Sequence, residues 1–84
     1  MNNVNLNSTR SLSQRRRIYN YLQSGHSLTP VEALGLFGTL KLATRISELR
    51  LLDGVDNIGQ EYVKLNTADG SAYVMRYFIK EEIK

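Results

Sequence analysis

Between Thr29 and Arg50 the chain reads TPVEALGLFGTLKLATRISELR, with apolar residues at helical spacing on either side of Phe37-Gly38-Thr39. Glycine in the interior of one continuous helix costs about 1 kcal/mol against alanine, so the pattern predicts two helices meeting at Gly38 and not one rod. The first opens on Thr29 as N-cap, with Pro30 at the first helical position and Glu32 three residues past the cap, three independent start preferences met together. Val31, Ala33, Leu34 and Phe37 supply its apolar contacts, and Gly38 ends it. The second is expected over 40–52 with Thr39 as its cap. Its Leu42, Ile46 and Leu49 repeat at i, i+4 and i+7 and so face the core, and Asp53-Gly54 terminates it.

Upstream, residues 1–10 are rich in asparagine and lack periodicity, which predicts a disordered tail ahead of a domain over 11–84. Ser11 and Gln14 in SLSQ form a start signal for a helix over 12–23. Ile18, Tyr21 and Leu22 make its inward stripe and Ser24-Gly25 its stop. Downstream of Gly54 the period changes from helical to extended. IGQEYVKLN and SAYVMRYFI, rich in β-branched and aromatic residues, flank TADG, whose Asp69-Gly70 tolerates the positive φ of a hairpin turn. Alternation in the second strand puts Tyr73, Met75, Tyr77 and Ile79 on one face and Val74, Arg76 and Phe78 on the other.

Three helices followed by a two-stranded antiparallel hairpin make an α+β domain with the layout of a winged helix-turn-helix. The break at Gly38 then has a purpose: a tight turn sets the second helix across the third at a steep angle and holds the third out from the body of the protein. SLTPVEALGLFG, followed by LATRISELR and a glycine after the third helix, resembles a family of small winged helix-turn-helix proteins frequent in phages and prophages. The likeness spans roughly 14–54, half of the chain. It implies DNA binding, in transcription regulation or other phage genome functions.

Length and composition narrow the alternatives. A chain of 84 residues makes one domain with a modest core, burying about 60 to 65% of its unfolded surface. With no cysteine, disulfides and thiolate metal sites are excluded, and the single histidine, His26, has no cluster of carboxylates near it, so it reads as a loop residue and no metal or cofactor is expected. No glycine-rich phosphate loop precedes a helix, no nucleophile sits with a base and an orienting acid, and Glu81-Glu82 are adjacent in a tail, so the chain is not expected to be an enzyme. No apolar run approaches the roughly 20 residues that span a bilayer, and MNNVNLNSTR lacks the make-up of a secretory signal. A soluble cytoplasmic protein of a bacterial cell or phage-infected host, with no membrane partner, is expected.

The net charge of +3 is unevenly spread: seven Arg and Lys oppose two acids before Asp53, and four oppose six from there on. Positive potential therefore belongs with the paired helices and suits a polyanionic partner. If Leu42, Ile46 and Leu49 look inward, Lys41, Thr44, Ser47 and Glu48 form the outer face of the third helix, with Arg45 at its edge. Arg45 suits a bidentate bond to guanine, Thr44 and Ser47 suit base edges or phosphates, Glu48 a cytosine amine, and Lys41 a phosphate. Arg15, Arg16 and Arg17 fan across about 200° of the first helix. Arg16 and Arg17 are candidates for anchoring the DNA backbone, Arg15 reads as a solvated basic face, and Arg50 lies toward the core with a carboxylate as expected partner. In the hairpin, Lys64 and Arg76 are candidates to flank a groove, while the tip carries Asp69 and no cation. Tyr62, Tyr73 and Tyr77 read as core or sheet-face residues.

These features support a protein that binds double-stranded DNA, a regulator or recombination accessory factor, with helix 40–52 in the major groove. The alternative is a protein-interaction winged helix that docks a replication, transcription or host factor through the hairpin edge or the third helix. A homodimer is compatible with either.

Overall fold

The computed structural model describes residues 9–80. Five elements follow one another: α1 Thr9–Gln23, α2 Pro30–Phe37, α3 Leu42–Leu51, β1 Ile58–Thr67 and β2 Gly70–Ile79. None of these helices is long and apolar enough to cross a membrane.

α1 begins at Thr9, three residues before the expected start and inside the stretch expected to be disordered, of which residues 1–8 lie outside the described part. Ser11 is therefore not a cap but part of the helix interior. Ser11, Arg15, Ile18 and Leu22 recur at i, i+4, i+7 and i+11 and are all buried, so one stripe of α1 is polar at its N-terminal end and apolar at its C-terminal end.

The start of α2 follows the sequence closely. Thr29 Oγ1 accepts from the Glu32 N–H, and the Glu32 carboxylate accepts from the Thr29 N–H at 2.9 Å, a complete capping box with proline at the first turn. Gly38 ends the helix at φ +67°, where an L side chain is disfavoured, and its N–H donates to the Leu34 carbonyl at 3.0 Å. Of the expected contacts, Ala33 is buried and Phe37 half-buried, one turn apart, while Val31 and Leu34 are exposed. An eight-residue helix has room for one narrow contact stripe, and these two residues lie off it.

α3 starts at Leu42 instead of Leu40. Thr39 Oγ1 accepts from the Lys41 N–H at 3.0 Å within the turn, so the threonine stabilises the approach to the helix and not its first turn, and Leu40 is left in the connection. Leu42, Ile46 and Leu49 are buried as the periodicity requires, in one core with Ile18, Leu22, Leu28, Ala33, Ile58 and Tyr77.

The hairpin pairs Ile58 with Ile79 through to Thr67 with Gly70. The two-residue turn is Ala68-Asp69, one position earlier than the expected dipeptide, and Gly70 carries the positive φ, +135°, as the first residue of β2. Tyr77 is buried and Met75 and Ile79 pack on the core, as the alternation predicts. One feature has no counterpart in the sequence pattern: Leu28 exchanges two backbone hydrogen bonds with Tyr77, both 2.9 Å, forming a single-residue bridge on the free edge of β2. At about 3.3 Å per residue the hairpin is roughly 33 Å long, and only its base meets the core, so its tip projects and the described residues measure 43 × 42 × 18 Å.

Candidate nucleic-acid interface

Polar groups set the position of α3. Glu48 is buried, and its Oε1 accepts from Ser11 Oγ at 2.8 Å and from Arg45 Nη1 at 2.8 Å. Arg45 Nε donates to Gln14 Oε1 at 2.8 Å, and Gln14 Nε2 donates to the Phe37 carbonyl at 3.0 Å, at the exposed end of α2. A second arm runs from Arg15, which donates to Ser11 Oγ at 3.1 Å and makes two bonds to Asp53, just past the end of α3. Both ends of α3 and the last turn of α2 are thus tied to α1. Such bonds fix geometry because a buried charge that loses its partner is costly.

The electrostatics agree with that geometry. The hydrogen bond from Arg15 holds the Asp53 carboxyl below its ordinary pKa, against the opposing effect of burial and with help from the charges of Arg15 and Arg16. The same hydrogen bond raises the Arg15 guanidinium above its ordinary value. Burial raises the Tyr77 hydroxyl.

These contacts revise the expectations for the charged residues of α1 and α3. Arg15 is fully buried and paired, not solvated, because the arc it shares with Ser11 and Ile18 faces α3. Glu48 is buried and not on the outer face, because it lies on the side of α3 that packs on α1, one position from Leu49. Its acceptor oxygen is occupied twice within the protein. Arg45 is half-buried with two nitrogens engaged, and Arg50 donates to the Ile58 carbonyl at 3.0 Å and pairs with no carboxylate among the described residues.

Of the residues expected on the outer face, Thr44 and Ser47 remain outward on α3, with Lys41 exposed ahead of the helix. Lys41 borders a recess at the α2–α3 turn together with Arg10, Gln14, Thr39 and Arg45, and among the described residues no acid lines it. Arg10 falls in the stretch whose composition suggests a disordered tail, which hides it from a reading of the sequence. Its signal is nonetheless present in the spacing: Arg10, Gln14, Arg17 and Tyr21 recur at i, i+4, i+7 and i+11. This second stripe of α1 runs along the turn, where the Arg17 guanidinium lies 5.5 Å from the centre of the Phe37 ring and Tyr21 meets the same ring edge-on. Arg16 and Arg17 are both exposed. His26 is in a loop, stacked on Tyr21 with ring centres 4.3 Å apart.

The two hairpin candidates separate. Lys64 is opposite Tyr73, on the face that carries Met75 and Tyr77, whereas Arg76 is opposite Glu61 on the other face and bonded to it. They cannot flank one groove, since residues facing each other across an antiparallel pair share a side of the sheet. Tyr62 and Tyr73, read as core or sheet-face residues, are both exposed beside Lys64, beyond the reach of the core. Only Tyr77 is buried.

The profile of a winged helix-turn-helix domain matches residues 13–82, and the chain belongs to that family. No curated protein and no solved structure gives a significant match.

Proposed function

We propose, from membership of the winged helix-turn-helix family, that the domain binds double-stranded DNA with α3 in the major groove. The observation that carries this reading is the sign of the charge around α3. The helix's one acid, Glu48, is buried and paired, while Arg10 and Lys41 stand exposed at its leading end. A duplex meeting this face encounters cations and hydroxyls and no exposed carboxylate of the helix. Lys41, Arg10, Arg16 and Arg17 contact phosphates, Thr44 and Ser47 approach base edges, and Arg45 holds the helix in place more than it reads sequence. Lys64, between Tyr62 and Tyr73, is the hairpin's contact to the flanking backbone. The likeness to small phage and prophage proteins supports a cytoplasmic regulator or recombination accessory factor as the role.

Binding to duplexes drawn from a random pool, followed across salt concentrations, tests the reading. Affinity is expected to fall linearly on a log–log plot as salt rises, with a slope set by the number of phosphates neutralised. Absence of any retained duplex at low salt would defeat it.

One observation favours a second reading. Val31 and Leu34 lie exposed on α2, one turn apart and beside Gly35, an apolar surface suited to a protein partner. Capture of a replication, transcription or host factor that survives high salt, and that Val31→Asp abolishes while duplex binding persists, would assign this face to protein contact.

A further inference from the structure

The outer surface of α3 is specific in what it lacks. Thr44, Ser47 and Leu51 follow at i, i+3 and i+7 and so stack along one face with Ala43 beside them, and all four are exposed. Leu51 is 82% exposed, and Leu40, in the turn ahead of the helix, 83%. No side chain in this set carries a charge or an amide. Guanine is read in the major groove by arginine or lysine, and adenine by asparagine or glutamine. Of the cations beside this face, Arg45 has Nε on Gln14 and Nη1 on Glu48, and Lys41 precedes the helix, at the phosphate position assigned above. What α3 presents instead is methyl groups with two hydroxyls among them. The one apolar group on a base edge in the major groove is the C5-methyl of thymine.

We infer that α3 recognises thymine C5-methyl groups, so that its ligand class is A·T-rich duplex, with Thr44 the specificity-determining residue and Leu40 and Leu51 its apolar flanks. The inference rests on the reading that α3 enters the major groove. Charge complementarity selects DNA as the occupant of this apolar stripe: Lys41 and Arg10 border its leading end, and the helix's acid is turned inward. Thr44 supplies both parts of the recognition, a methyl for thymine and a hydroxyl for the neighbouring base edge or phosphate.

The experiment uses duplexes enriched by the full chain from a random pool, resynthesised with uracil in place of thymine. This removes the C5-methyl and leaves every base-edge donor and acceptor unchanged. A·T-rich sequences are expected from the selection. The uracil duplex is expected to bind about fourfold more weakly for each thymine methyl that the protein covers, the factor that corresponds to the transfer free energy of one buried methyl. Thr44→Ser, which keeps the hydroxyl and discards the methyl, should bind thymine and uracil duplexes with a smaller ratio than the wild type. Equal wild-type affinity for the two duplexes, or enrichment of G·C-rich sequences, overturns the inference and leaves duplex binding standing. Enrichment of no duplex at any salt concentration overturns both, as does a concentration-dependent dimer that buries Leu40 and Leu51 and excludes DNA.

Discussion

Arg15 and Asp53, 38 positions apart, close two hydrogen bonds, Nε to Oδ2 at 2.7 Å and Nη2 to Oδ1 at 3.1 Å, that fasten the first helix to the residue just beyond α3. The arginine side chain is almost entirely enclosed and the aspartate about a quarter exposed. Removing the acid takes two charge-assisted hydrogen bonds from an enclosed cation, whereas removing the arginine leaves a carboxylate that water can reach. Asp53→Ala is therefore expected to cost about 3 kcal/mol, and Arg15→Met less. Urea unfolding followed by circular dichroism checks the order, and a larger loss for Arg15→Met would contradict it.

The same pair makes stability depend on acid. The Asp53 carboxyl is held below its ordinary value of 3.8, so between the two values the unfolded chain binds more protons and stability rises with pH. The contribution is complete above the unfolded pKa and disappears as pH falls through the lowered folded value. Urea midpoints measured between about pH 6 and pH 2 should drop more steeply for the wild type than for Asp53→Asn, and parallel curves would show the pair to be energetically silent.

Arg45 and Thr44 are neighbours with opposite expected behaviour. Arg45→Ala removes a donor from buried Glu48 and from Gln14, at a cost of about 1 to 3 kcal/mol in stability. Thr44→Ala and Ser47→Ala, both exposed, should stay within about 0.5 kcal/mol of wild type while weakening duplex binding. Thermal unfolding and a binding titration on the same samples separate the roles. Loss of duplex binding by Arg45→Ala at unchanged stability would return Arg45 to the recognition surface.

Phosphate contacts have their own signature. Lys41→Ala and Arg10→Ala should each weaken duplex binding nearly uniformly across sequences and lower the salt slope by about 1. On the hairpin, Lys64→Ala should do the same and Arg76→Ala should not, because Glu61 already engages the Arg76 guanidinium on the opposite face. Equal losses for the two hairpin variants would refute the assignment of faces.

Gly38→Ala isolates the turn. Among the described residues nothing lies within 4 Å of where a Cβ would stand, so the cost is that of the left-handed backbone alone, about 1 to 2 kcal/mol, and Gly38→Asn should lose less. Equal stability of Gly38→Ala and wild type would mean that the connection rearranges freely.

The elements set by local chemistry are legible in the sequence. Thr29, Pro30 and Glu32 act within one turn of helix, Gly38 within its own φ and ψ, and Leu42, Ile46 and Leu49 through a period that any amphipathic helix displays. The hairpin is legible for the same reason, apart from a turn displaced by one residue because Gly70 serves as the first paired position and not as a central one. The polar network is not legible. Ser11 and Glu48 are 37 positions apart and Gln14 and Arg45 31, and charged residues in a helix pattern read as solvent-facing until a partner across the fold is known. The start of α1 is obscured in the same way: SLSQ satisfies a capping preference, but the helix extends past it and Ser11, inside the helix, is bonded to Glu48. Leu28 lies in a strand of one residue, too short for any periodicity.

That single residue joins the two halves of the fold mechanically. Leu28 is hydrogen-bonded to Tyr77 in the hairpin, and the next residue along, Thr29, is the cap on which α2 begins. A load that deflects the hairpin arrives at the root of α2 after one peptide unit, and from there reaches α3 through a turn that Gln14 braces. The base of the hairpin, the root of α2 and the approach to α3 therefore share one hydrogen-bonded frame, and Leu28 is the residue at which its two halves are sewn together.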